Sequence, residues 1–200
     1  MDFKASIDDG DEESKTAPSG RFQPINLINF ALFQLTWFGS VVGAAKGSIL
    51  VGVIGIVLMF VFSTCRGTLR PDSAFVAVLI PLGWIVDSLW ASSGILQYVH
   101  VLTPQFAQAF APLWILLLWI GVGLSLNHGM SLFVARPLLG ALLAGGAAPM
   151  SYLGGARLGA VEIPDPYALG WVALVWFGVF FAVFRFAARH QSVPRSDAPN

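Results

Sequence analysis

Asp87 lies in the stretch GWIVDSLW (83–90), within an apolar run that begins near Ala74. A carboxylate at mid-membrane costs at least ~2.5–3.5 kcal/mol on insertion scales, so such a group defaults to function. His128 is the one histidine expected in a span. Asp87 and His128 are therefore the candidate catalytic residues. Asn29, Gln34, Trp37, Asn127, Tyr152 and Arg157 are candidate substrate-binding residues. A single acid, one imidazole and several amides suit proton transfer or the orientation of a polar head group. The plainer reading of Asn26, Asn29 and Gln34 is interhelical hydrogen bonding, typically worth ~0.6 kcal/mol each.

Other chemistries are excluded. Three histidines are too few for a histidine-rich di-iron site. HExxH, GxSxG and phosphate-loop motifs are absent. One spanning acid does not make a paired-aspartate protease. Cys65 is the single cysteine, which rules out an intrachain disulfide and a cysteine metal site. No metal and no cofactor is expected, and no basic patch points to nucleic acid.

The elements that must position these residues follow from composition. The 200 residues are 56% hydrophobic and 11% charged, with mean hydropathy +0.73. A soluble domain is about a quarter charged, so the expected solvent is a bilayer. The segment from Ile25 to Thr64 is nearly all apolar and as one helix would reach ~60 Å, twice a bilayer core. It must fold back, and Lys46-Gly47 is the turn. Helices are then expected at about 25–45, 48–64, 74–96, 112–133, 137–157 and 168–188. CRGTLRPDS (65–73) reads as a polar loop, and 97–111 as interfacial or re-entrant. The expected fold is an all-α polytopic bundle over 22–188. A disordered acidic tail precedes it (1–21) and a short tail follows (189–200). Six of the eleven acids stand in the first 20 residues.

Six spans put both termini on one side. With the N-terminus cytoplasmic, nine basic residues lie inside against Lys46 and Arg157 outside, as the positive-inside rule requires. Depth then makes Gln34 the natural partner of Asp87. Asn127 and His128 fall about two turns deeper, within reach through a water or a substrate group. Tyr152 falls in the outer half, and Arg157 at the outer surface. The tryptophans suit interfaces and packing, with Trp84 and Trp90 placed to wall a pocket. Small residues at Gly39, Gly43 and Gly47, at Gly52 and Gly55, and at Ala141, Gly145 and Pro149 mark close helix contacts.

Several segments together resemble a known family. These are NFALFQLTWFGSVVGAA (29–45), DSLWASSGIL (87–96), APLWILLLW (111–119), LNHGMSLF (126–133) and APMSYLGGARLGAV (148–161). In order and combination they resemble a bacterial inner-membrane family catalogued as a domain of unknown function, number 2878. The resemblance covers about 26–185, and the tail 1–21 looks like an addition. It implies a multi-pass inner-membrane protein with no assigned activity. Members are often encoded near enzymes that modify membrane lipids, which implies lipids, and lipid-modifying enzymes, as partners. The matching segments hold Asn29, Gln34, Trp37, Asp87, Asn127, His128, Tyr152 and Arg157.

Three readings stand: support of membrane-lipid modification, as enzyme or accessory; a small proton-coupled transporter or channel; and a membrane scaffold or assembly subunit.

Overall fold

The computed structural model describes residues 23–102 and 109–191. The expected acidic tail, residues 103–108 of the segment 97–111 and residues 192–200 of the C-terminal tail lie outside these residues. The regular elements of the described residues are helices and one two-stranded ribbon. Its order is α1 (Asn26–Ala45), α2 (Leu50–Cys65), α3 (Leu69–Ser92), β1 (Gln97–Tyr98), α4 (Leu113–Gly123), α5 (Ser131–Ala135), α6 (Pro137–Arg157), β2 (Val161–Glu162) and α7 (Leu169–Gln191). A 3₁₀ turn, Pro166–Ala168, leads into α7.

Four helices are long and apolar enough to cross a membrane: Asn26–Ala45, Leu69–Ser92, Pro137–Arg157 and Pro166–Gln191. The apolar helices α2 and α4 are shorter. Leu27, Ile85, Leu142 and Leu174 are exposed, as expected of side chains whose solvent is lipid.

The α1–α2 turn falls at Lys46-Gly47, where Gly47 takes a positive φ of 71°, a conformation open to glycine. Small residues then let the two helices close. A side chain at Gly52 or Gly55 would overlap the hydroxyls of Ser40 or Thr36. In the same way Gly145 lies against Ala173 and Phe177 of α7.

Two segments depart from expectation. Residues 69–73 are helical and open α3; they are not loop. Pro71 sits in the first turn, where the backbone N–H has no intrahelical partner to lose. Its N–H-bearing neighbour Asp72 makes the first full-turn bond, to Thr68 O at 3.0 Å. The expected helix 112–133 stops at Gly123. Turns occupy 124–130, and α5 follows. Pro149, by contrast, lies within an uninterrupted α6.

Helices α1 to α4 pack as one group, α6 and α7 pack as a pair with α5 against both, and the β1–β2 ribbon links α3 to α6. The two ends of the bundle are tied separately. At one end β1 pairs antiparallel with β2, Gln97 opposite Glu162 and Tyr98 opposite Val161. This brings the C-terminal ends of α3 and α6 together beside the α1–α2 turn. At the other end Asn26 meets Ser131, Arg66 meets Gln23, and Gln191 meets Asn127.

Candidate functional site

Asp87 is 1% exposed, and three side chains from three other segments converge on it. Tyr98 donates its hydroxyl to Oδ1 at 2.8 Å. Tyr152 of α6 donates to the same oxygen at 3.0 Å. Trp119 of α4 donates its indole N–H to Oδ2 at 2.7 Å. Each donor depends on a local feature. The ribbon carries Tyr98 back over the end of α3. Gly83, one turn before Asp87, leaves space that the Trp119 ring fills. Burial pushes the Tyr98 phenol well above its ordinary value, so it remains a donor at neutral pH.

Asp87 stands at the wall of a cavity of about 600 Å³ between the α1–α4 group and the α6–α7 pair. The lining is mainly apolar and aromatic, including Trp37, Trp114, Trp119, Trp176 and Phe180. Among the described residues its polar side chains are Gln34, Asp87, Ser151 and Tyr152, and no Lys, Arg or His lines it. Gln34 on α1 and Leu143, Ala147 and Met150 on α6 line it and are also exposed. The cavity therefore opens sideways between α1 and α6. Trp37 bridges these helices by donating to Ser151 Oγ at 3.1 Å. Trp119 stacks on Trp176 with centroids 5.3 Å apart, and Trp176 packs against Phe180.

The expected Asp87–Gln34 pair does not form. Gln34 shares Asp87's cavity but stands at the exposed mouth, while the carboxylate is bonded to Tyr98, Trp119 and Tyr152. Neither Trp84 nor Trp90 lines the cavity. Arg157 is exposed on the last turn of α6.

His128 and Asn127 do not lie beneath Asp87 either. They belong to a second cluster around Asp72, a buried acid that the loop assignment of 65–73 had set outside the membrane. Asn127 donates to Asp72 Oδ1 at 2.6 Å. Thr68 donates to Oδ2 at 2.7 Å. His128 Nε2 lies 3.0 Å from Oδ2 and 3.0 Å from Thr68 Oγ1. An ionised carboxylate only accepts, so the arrangement calls for a proton on Nε2. Gln191 of α7 donates to Asn127 Oδ1 at 2.8 Å. Asp72 and Asp87 stand fifteen residues apart on α3. That is about 22 Å along the axis and about 60° around it, so both face α4 and its continuation from opposite ends.

Asn29 has a backbone role. It is fully buried and spans the break after α4. Its Nδ2 donates to Leu124 O at 3.1 Å, and its Oδ1 accepts from Gly129 N at 3.1 Å. The side-chain amide thus stands in for a missing peptide partner on both sides of the break. Buried backbone outside regular structure requires this kind of satisfaction. No group of three or more His, Cys, Asp or Glu that could hold a metal occurs among the described residues.

Residues 26–182 match the family described as Protein of unknown function (DUF2878), and the chain belongs to that family. No curated protein and no solved structure matches it.

Proposed function

We propose that this family member is a multi-pass membrane protein whose side-opening cavity receives a membrane lipid and presents its polar end to Asp87, in support of membrane-lipid modification. One observation carries the reading. An apolar, aromatic cavity opens between α1 and α6, where lipid would lie, and holds one carboxylate within it. Tyr98, Trp119 and Tyr152 fix that carboxylate from three segments. Positioning of this kind suits a group that must meet a reacting bond or a head group.

In this reading the short helices α2 and α4–α5 complete six passes with both termini cytoplasmic. Arg66, Arg70, Arg136 and Arg189 stand at the Asn26 end, against Lys46 and Arg157 at the other. That distribution supports a cytoplasmic Asn26 end in a bacterial inner membrane. Lipid-modifying enzymes are the proposed protein partners.

The test is a comparison of whole-cell lipid profiles by mass spectrometry. A null strain carries wild type, Asp87→Asn or empty vector, with protein amounts matched. Asp87→Asn is expected to accumulate normally and to give the empty-vector profile. If all three profiles coincide, the lipid reading fails.

Two buried acids on one face of α3 and a broken helix beside them favour a second reading, a proton-coupled transporter. It requires Asp87 to be reached by water from both sides, which cysteine labelling of cavity positions tests. A scaffold would tolerate Asp87→Asn and fail when Gly39 or Gly43 is enlarged.

A further inference from the structure

The cavity is long and its two ends are unlike. On α6 its lining runs from Gly140 to Gly155, about 22 Å along the helix. A volume of about 600 Å³ over that length gives a mean section of about 27 Å². That is room for one extended alkyl chain and not for two side by side. Asp87, Ser151 and Tyr152 stand toward the ribbon end, and Gln34 stands about one turn of α1 nearer to α5. From there to α5 the lining is apolar, and it ends on an aromatic pair. The rings of Phe133 and Phe184 both line the cavity, with centroids 6.0 Å apart. Gly140 lets them close, since a side chain there would come within 2.7 Å of each. Behind them, in the same core, Val134 and Ala187 are buried.

Resting on the lipid-cavity reading above, we infer that the cavity takes one alkyl chain, tail first, and that Phe133 and Phe184 form the floor that sets its length. Two helices give the depth of this slot. Tyr152, which bonds Asp87, stands twelve residues from Gly140 on α6, about 18 Å. Trp176, packed on Tyr152, stands eight residues from Phe184 on α7, about 12 Å. Long side chains lean toward the N-terminus of their own helix. Tyr152 therefore leans toward the floor and Trp176 away from it, and they meet at about 15 Å. An extended chain of ~1.5 Å bonds advances about 1.3 Å per carbon, so about 12 carbons fill the slot. A shorter chain leaves apolar space unfilled. A longer one must crowd the floor or push its polar end past Asp87. The opening between α1 and α6 lets the second chain of a two-chain lipid stay in the bilayer.

Full-length protein in a neutral detergent tests this with an equimolar ladder of monoacylglycerols, from octanoyl to eicosanoyl. Native mass spectrometry reads which lengths are retained, relative to the micelles, and how many per protein. One chain per protein is expected. Lengths near dodecanoyl should be enriched about tenfold over much longer ones, the factor that overpacking costs. Phe133→Ala lowers the floor and should move the enriched length up. Ala144→Phe, one turn above Gly140, raises the floor by about 5 Å and should move it down by about four carbons. The opposite shifts keep the test open if either variant fails to fold. Phe181→Ala, exposed on α7 and outside the lining, should leave the profile unchanged. A diacylglycerol ladder separates the two sources of the chain. Retention with the same length profile assigns it to a two-chain lipid seated through the opening, and exclusion assigns it to a single-chain lipid. Two monoacylglycerols per protein, or a profile that neither folded floor variant moves, overturns the inference but leaves a lipid cavity standing. No retention of any probe by folded wild type overturns the cavity reading as well.

Discussion

Trp119 lies across Gly83 and donates its indole N–H to Asp87, one helical turn further along α3. The contact links a position without a side chain to the carboxylate at the cavity wall. It also fixes how closely α3 and α4 approach.

Gly83→Ala places a methyl group where the Trp119 ring sits. The ring must move, and Asp87 then loses its Oδ2 donor. Thermal unfolding in detergent is expected to show a loss of about 1–3 kcal/mol, the usual cost of overpacking. The lipid profile should move toward that of Asp87→Asn. An unchanged melting curve and profile would show that Trp119 does not position the carboxylate.

The Asp72 cluster joins the α2–α3 corner to the segment after α4 and, through Gln191, to α7. His128→Ala and Asp72→Asn should each destabilise the protein, because each leaves buried polar groups short of a partner, at about 1–3 kcal/mol. Their double-mutant cycle should show coupling of about 0.5–3 kcal/mol. Additive effects would mean that the 3.0 Å contact carries no net energy.

Asn29→Leu removes both ends of the clasp over the break after α4. Leu124 O then loses its donor and Gly129 N its acceptor in a buried place, at about 1–3 kcal/mol each. The variant should accumulate poorly in membranes. Normal accumulation with altered activity would instead move Asn29 into the ligand site.

Gly55→Leu should separate α1 from α2 by forcing a side chain onto Thr36. Poor membrane accumulation is expected, with Asp87 chemistry lost only as a consequence. A fully accumulated, active variant would show that this close approach is dispensable.

The sequence carried the long helices well, for local reasons. Lys46-Gly47 marks a turn within an apolar stretch too long for one span. Pro137 opens α6 at its first residue, where proline is tolerated. The same residue type misled at Pro71, read as a stop although it lies in the first turn of α3. That error put Asp72 in a loop and hid the second buried acid. The break after α4 had a signal in the run Asn127-His128-Gly129. A side chain at Gly129 would come within 2.9 Å of Asn29 Oδ1, so glycine there fits a closely crossed, non-helical segment.

Rise along a helix can be read from residue number, but rotation toward a neighbour cannot. Rise per residue puts Gln34 and Asp87 at similar depth, yet Gln34 faces the cavity mouth and Asp87 the interior. Tyr98 was missed because the β1–β2 pairing joins segments that are 64 residues apart. Nothing near either strand encodes that partner. Trp119 and Trp176 were read as packing residues because an indole's hydrogen-bonding role depends on which neighbours face its N–H.

The most direct measurement is the lipid content of the purified protein by native mass spectrometry, wild type against Ala147→Trp. Ala147 lines the cavity mouth on α6, so an indole there should close the opening without touching Asp87 or its three donors. The wild type should retain bound lipid, and Ala147→Trp should retain little while remaining folded. Equal lipid retention by the two folded proteins would contradict the claim that this cavity is where the lipid binds.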